Sequence, residues 1–354
     1  MKKFLLKVIK KFLKLYYLGV ELRNQIIKLT LQKSYPLFIV SVGNIQIGGT
    51  GKTPFIKYLI NELLQHNIKK EDIVLISRGY RRKGNGELII SKYIKDARNF
   101  SLEELGDENY MLYKQFKIEF LIGKNRRKNI EDYISILKEN SIDLKNKIII
   151  LDDGFQHLYI KREIDILIFN LSRADSLFYR EELFAIRRAD IVLLTKYSYL
   201  KNTTRYLEYI KKLNTNIFFS EERYLFFKYE KKDLLKVKIQ SIYGKKAILI
   251  AAIGDVSYLK NILKDKFKIV IIKDFVYRDH YNYTEKDIEK IEKFLNLIND
   301  DFIIITTMKD FYKLEEIITD NMKKDFYVID YLIENKEVFN IVFKRFLDYK
   351  NGRV

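Results

Sequence analysis

LFIVSVGNIQIGGTGKTP, residues 37–54, is an apolar run that breaks at Gly43, passes through a glycine-rich loop and opens into a helical pattern lasting to about Gln65. Strand, loop and helix in that order are the context a phosphate-binding P-loop requires. Glycines let backbone N–H groups approach phosphate oxygens, and a helix N-terminus favours negative charge. Gly48, Gly49, Thr50, Gly51, Lys52 and Thr53 are therefore the expected nucleotide-binding loop. Lys52 is placed to reach the β- and γ-phosphates, and Thr53 carries a hydroxyl suited to Mg2+. Pro54 suits the first helical turn. The strict motif has glycine where this chain has Gln46.

A second apolar strand, Ile148-Ile149-Ile150-Leu151, ends in Asp152-Asp153-Gly154-Phe155-Gln156-His157. Carboxylates at such a strand end hold Mg2+ in P-loop enzymes, although strand-end aspartates also cap turns; pairing with the loop at Lys52 favours the metal. Further apolar runs at Asp72–Ser77, Ile118–Ile122, Asp165–Phe169 and Ile191–Thr195 alternate with helical stretches. That rhythm predicts an α/β fold with a P-loop NTPase-like, doubly wound parallel sheet over residues 33–216. Residues 217–240 turn rich in Tyr, Phe and Lys with partial alternation, which predicts a β-strand hinge. Runs at Ala247–Ile253, Lys268–Ile272, Asp301–Thr306 and Phe326–Ile329 then predict a smaller α/β domain over residues 241–354.

The chain has 354 residues, enough for two domains, and 47% hydrophobic residues, enough to bury a core. It has no cysteine, which removes disulfides, thiolate metal sites and cysteine nucleophiles. A formal charge of +19 implies an anionic partner: nucleic acid, an acidic lipid surface or a phosphorylated substrate. A lysine-biased composition is the lesser alternative explanation of the charge.

The first residues narrow that choice. In MKKFLLKVIKKFLKLYYLGVEL, Lys3, Lys7, Lys10, Lys11 and Lys14 fall on one helical face and Leu5, Val8, Ile9, Phe12, Leu13 and Tyr16 on another. Lysines interrupt every apolar run long before the ~20 residues needed to cross a bilayer. Residues 1–32 thus read as a basic amphipathic helix that lies in an anionic membrane interface, or that packs its apolar side on the protein.

Several short blocks carry a resemblance. Ser41-Val42-Gly43-Asn44 leading into the P-loop, Ser77-Arg78-Gly79-Tyr80-Arg81, Gly106-Asp107-Glu108, Asp152–His157, Arg180-Glu181 before Arg188-Ala189-Asp190, and Asp279-His280 occur in this order. In that combination the chain resembles the tetraacyldisaccharide 4'-kinases, the lipid A 4'-kinases, from about residue 1 to residue 315. The resemblance implies ATP and Mg2+ as cofactors and transfer of phosphate to the 4'-hydroxyl of an anionic, membrane-embedded glycolipid. It implies a peripheral enzyme at the cytoplasmic face of the inner membrane, read here as a monomer that does not bind nucleic acid. It also implies Asp107 as the group that activates the sugar hydroxyl, supported by His280, with Lys52 on the transferred phosphate. Thr53, Asp152, Asp153 and Glu181 become the expected metal shell. Asn44, Arg78, Tyr80, Arg81, Arg126, His157 and Arg180 become the expected substrate contacts, with Arg127 as the alternative to Arg126. The chain departs from the family pattern at Tyr281, where a second histidine is usual, and at Glu182, where proline is usual. Thr307-Met308-Lys309-Asp310 matches a Lys-Asp segment of the family and is either a nucleotide contact or structural.

The rival reading is a membrane-associated P-loop switch ATPase. That class keeps a lysine just before the paired glycines and a proline-bearing Asp segment after the second strand; this chain has Ile47 and Asp152-Asp153-Gly154-Phe155 there.

Overall fold

A computed structural model describes residues 16–84, 86–94, 99–175, 179–196, 204–298 and 301–353. The basic stretch before Tyr16 lies outside these residues. From Tyr16 the chain is helical through residue 26 (α1) and ends in a π-turn, Ile27–Leu31.

The first sheet is built from β1 (Phe38–Gly43), β2 (Ile73–Ser77), β3 (Leu88–Ile90), β4 (Glu119–Ile122), β5 (Ile148–Asp152), β6 (Ile164–Asn170), β7 (Ile191–Thr195) and β8 (Ile217–Phe219). Its order is β3-β4-β2-β5-β1-β6-β7-β8, parallel except for β3 against β4. β1 sits between β5 and β6, and all six of its residues are buried. Central strands of a sheet covered on both faces read as unbroken apolar runs, which is why FIVSVG was legible. The helices that follow strands are α2 (Lys52–Gln65), α3 (Leu102–Leu105), α4 (Asp107–Phe116), α5 (Arg126–Glu139) and α6 (Thr204–Leu213).

The second sheet holds β9 (Glu221–Glu230), β10 (Asp233–Val237), β11 (Lys246–Ala251), β12 (Val270–Val276), β13 (Ile303–Thr307) and β14 (Phe326–Glu334), ordered β10-β9-β14-β13-β11-β12. Its helices are α7 (Val256–Phe267), α8 (Glu285–Leu295), α9 (Met308–Leu314), α10 (Asp320–Lys323) and α11 (Lys336–Lys350).

Two features differ from the sequence expectation. The stretch 217–240 is no free-standing hinge: β8 closes the first sheet, while β9 and β10 form an antiparallel hairpin on the second. The crossing narrows to the buried Ser220, whose N–H donates to Leu194 O of β7 at 3.0 Å. The C-terminal unit is not self-contained either. Phe339, Val342 and Phe346 recur at helical spacing on α11 and carry that helix back onto the first sheet, with the Phe346 and Tyr349 rings 5.4 and 5.7 Å from Phe38. α2 is held from the other side as well, because Lys57 makes a buried ion pair with Asp330 of β14. One apolar core therefore runs through both sheets, from Phe55 and Leu59 to Ile333 and Phe339.

Candidate active site

The loop between β1 and α2 is shaped before any ligand arrives. Gly48 and Gly51 hold φ of 95° and 103°, a left-handed backbone that glycine adopts freely. At Gly51 a Cβ would also fall 2.1 Å from Ile333 Cδ1, so the second sheet packs directly on the phosphate loop. Gln46, the departure from the strict motif, is fully buried and makes a paired contact with β6: its Nε2 donates to Asn170 O at 2.8 Å and its Oε1 accepts from Asn170 N at 2.7 Å. The side chain thus supplies an anchor where the motif has a bare glycine. Asn44 Nδ2 donates to Gln46 O (2.9 Å) and Thr50 Oγ1 (2.8 Å), and Thr195 of β7 donates to Thr50 O (3.0 Å). These bonds fix the cradle from inside, so Asn44 acts here on the loop itself.

At the neighbouring strand end the two aspartates have different surroundings. Asp153 adopts a left-handed backbone (φ 51°), a cost that clusters at functional sites. Its carboxylate lies 3.3 Å from Lys52 Nζ and accepts from Arg180 Nη1 at 2.7 and 2.6 Å, while its carbonyl accepts from Arg126 Nη1 at 3.2 Å. Burial alone would raise its pKa, but the charges of Lys52 and Arg180 outweigh that and hold it below the usual range. Asp152 is pushed up to about 7, first by burial and then by the charge of Glu108. Its Oδ1 is buried without a hydrogen-bond partner among the described residues. An orphaned carboxylate oxygen that resists ionisation is what a divalent cation would relieve, so the residues fit Mg2+. The Thr53 hydroxyl donates to Glu108 at 2.6 Å, the same glutamate whose charge acts on Asp152. Among the described residues no three acidic or imidazole groups form a metal cage.

Asp107 opens α4 directly after Gly106, whose φ of 79° turns the chain into the helix. The second body brings an imidazole and two lysines to it. His280 Nδ1 lies 2.9 Å from Asp107 Oδ2, Lys313 of α9 pairs with the same oxygen, and Lys309 stands 4.0 Å away. Burial would raise the Asp107 pKa, yet the hydrogen bonds from His280 and Lys313 and the two lysine charges hold it well below the usual carboxylate range. Asp279 lies behind, 3.1 Å from Lys309 and 3.7 Å from His280 Nε2. The Tyr80 ring packs edge-on to His280 at 6.1 Å, with Arg81 over it at 5.4 Å; Arg78, Tyr80 and Arg81 are all exposed.

The remaining expected residues separate. Arg126 is buried beside Asp152 and Asp153, whereas Arg127 is half-buried and turns toward Leu31 O and the Tyr159 ring. His157 is driven down to about 3 by burial and by Arg126, Arg162 and Arg127; its Nε2 is a buried atom without a partner among the described residues. Glu181, expected in the metal shell, sits in a buried ion pair. Both its oxygens accept from Arg188, at 2.5 and 2.6 Å, and one also from Asn24 at 2.9 Å. That buried pair, with the Asn24 bond, ties α1 to the core. The sequence blocks include Glu108 without giving it a role and leave Lys313 out, though Glu108 adjoins Asp107 and Lys313 follows Lys309 by one helical turn, the spacing that puts two side chains on one face.

A phosphate loop, a cation-ready strand end and a carboxylate held between two bodies define a P-loop kinase. The profile of the family described as tetraacyldisaccharide-1-P 4'-kinase matches residues 5–347. The tetraacyldisaccharide 4'-kinase of Cytophaga hutchinsonii is 30% identical, over 95% of this chain and 95% of its own length. That of Flavobacterium psychrophilum is 31% identical, over 98% of this chain and 97% of its own. The crystal structure of LpxK from Aquifex aeolicus in complex with ATP superposes with a TM-score of 0.69 at 25% identity, covering 97% of this chain and 99% of that one. The chain belongs to the tetraacyldisaccharide 4'-kinase family.

Proposed function

We propose that this protein transfers the γ-phosphoryl group of ATP to the 4'-hydroxyl of a tetraacyldisaccharide 1-phosphate in lipid A biosynthesis. The observation that carries this reading is the meeting of Asp107, on the P-loop body, with His280 and Lys313 of the second body. A carboxylate kept anionic there accepts the hydroxyl proton as the O4'–P bond forms and the bond from the γ-phosphorus to the bridging oxygen of ADP breaks. Lys52 moves from Asp153 to the β/γ-phosphates when nucleotide enters. Bound at Thr53, Asp152 and Asp153, Mg2+ supplies charge neutralisation on the phosphates. Arg126, His157, Arg180 and, through its charge on Arg126, Arg78 belong to the side of Asp152 and Asp153, and Tyr80 and Arg81 to the side of His280; both rims suit the anionic glycolipid.

The membrane is met through the N-terminal segment. Leu18, Leu22, Ile26 and Leu29 recur along one side of α1 and its π-turn and are exposed, continuing the basic amphipathic stretch before them. No described helix is long and apolar enough to cross a membrane. The exposed apolar side of α1 and the family together favour a peripheral monomer on the cytoplasmic face of the inner membrane, with no nucleic-acid partner.

The test is transfer of label from γ-labelled ATP to a tetraacylated disaccharide 1-phosphate in detergent micelles. Labelled lipid made by wild type and lost with Asp107→Ala supports the reading. ATP hydrolysis without labelled lipid overturns it in favour of a switch ATPase.

A further inference from the structure

The contacts of Asp107 are unevenly shared between its two oxygens. His280 Nδ1, Lys313 Nζ and Lys309 Nζ each make their nearest approach to Oδ2, and among the described residues no hydrogen bond falls on Oδ1. The Lys313 side chain is 1% exposed, and its ammonium also donates to Tyr281 O at 3.1 Å, next to His280. The base of α9 is fixed in turn: Asp310 Oδ2 accepts from Ala252 N at 3.0 Å and from Thr307 Oγ1 at 2.8 Å. A lysine this buried on a braced helix is a fixed cation, unlike a surface lysine that samples many rotamers.

We propose that Lys313 is a positioning residue for phosphoryl transfer: it holds Asp107 by Oδ2, across the joint between the two bodies, so that Oδ1 is the oxygen presented to the substrate hydroxyl. His280 shares the same oxygen and fixes the plane of the carboxylate. This inference rests on Asp107 being the group that takes the hydroxyl proton. The groups facing Asp107 are Lys309 and Lys313 from α9 and His280 from the loop after β12, with Asp279 behind Lys309 and His280, and Glu108 following on its own helix.

The experiment compares Lys313→Met, Lys313→Gln and Lys313→Arg with Asp107→Asn, alone and combined, in the labelled lipid assay across pH. Lys313→Met is expected to lower kcat by about 10²-fold, within the range for aligned proton transfer, with KM for ATP little changed. Loss of the cation leaves a buried carboxylate that protonates more readily, so the acid limb of the rate profile moves to higher pH. Lys313→Arg restores part of kcat and returns the acid limb toward wild type. Adding Lys313→Met to Asp107→Asn costs nothing further, because the lysine acts through the aspartate. Multiplying losses, or an unmoved acid limb, overturns the inference; Lys313→Gln, which keeps a donor amide in place, decides it if Lys313→Met does not fold. A fully active Asp107→Asn overturns the role of Asp107 itself, a separate failure.

Discussion

Asp107 and Asp152 stand at the same site and are driven in opposite directions. Asp107 is surrounded by His280, Lys313 and Lys309 and is held ionised; Asp152 is buried beside Glu108, with one oxygen unpartnered, and is pushed up to about 7. Residue type is the same in both, so the neighbours set the task. A carboxylate already saturated with protein cations on one oxygen has little to gain from a metal and can receive a proton on the other. A carboxylate short of positive charge is the one that a cation completes.

The contrast can be broken at either end. The largest effect is expected for Asp107→Asn, which should lower kcat by about 10³-fold while leaving the Mg2+ concentration for half-maximal rate unchanged; phosphate transfer measured over a Mg2+ titration checks both halves. A third carboxylate, Glu181, is the control. With both oxygens on Arg188, Glu181→Gln should cost about 3 kcal/mol of stability, the expense of leaving a buried charge unpaired, without changing the Mg2+ requirement. Denaturant unfolding beside the same titration reads this, and a raised Mg2+ requirement would return Glu181 to the metal shell. For Asp152→Asn the pattern reverses: the Mg2+ requirement rises by at least about 10-fold, the cost of losing even an outer partner of a metal.

The smallest effect is a pH dependence. Asp152 binds its proton more tightly in the folded protein, at about 7 against an ordinary aspartate value of 3.8. Its contribution to stability is therefore complete below the unfolded value and is lost as pH rises through about 7. Asp107, lowered on folding, contributes above the unfolded carboxylate range and loses that contribution only in acid. Between pH 5 and 8 Asp152 alone of the two acts. Without metal, wild type should lose a few degrees of melting temperature over that interval relative to Asp152→Asn, and saturating Mg2+ should remove the difference. An equal slope in both proteins would place the titration elsewhere.

The sequence by itself determined the strand–loop–helix at residues 37–65, the strand ending in Asp152, and most of the parallel sheet. Each of these depends on local chemistry: apolar runs for strands covered on both faces, glycines for a left-handed loop, lysine and threonine at fixed offsets from it. Local pattern also separated two groups of strands along the chain. Tertiary structure alone decided that 217–240 divides between two sheets at Ser220, and that α11 returns to pack on Phe38. A short alternating segment cannot state which sheet it will join, and an amphipathic helix cannot name the surface that covers it. The same limit separates Arg126 from Arg127 and gives Glu181 to Arg188, because adjacent residues of like type differ only in the direction their side chains take. The link between Asp107 and Lys313, 206 positions apart, leaves no trace in either segment. It exists because α2 is clasped between β14 and α11, which brings the second sheet against the phosphate loop and carries α9 to the start of α4.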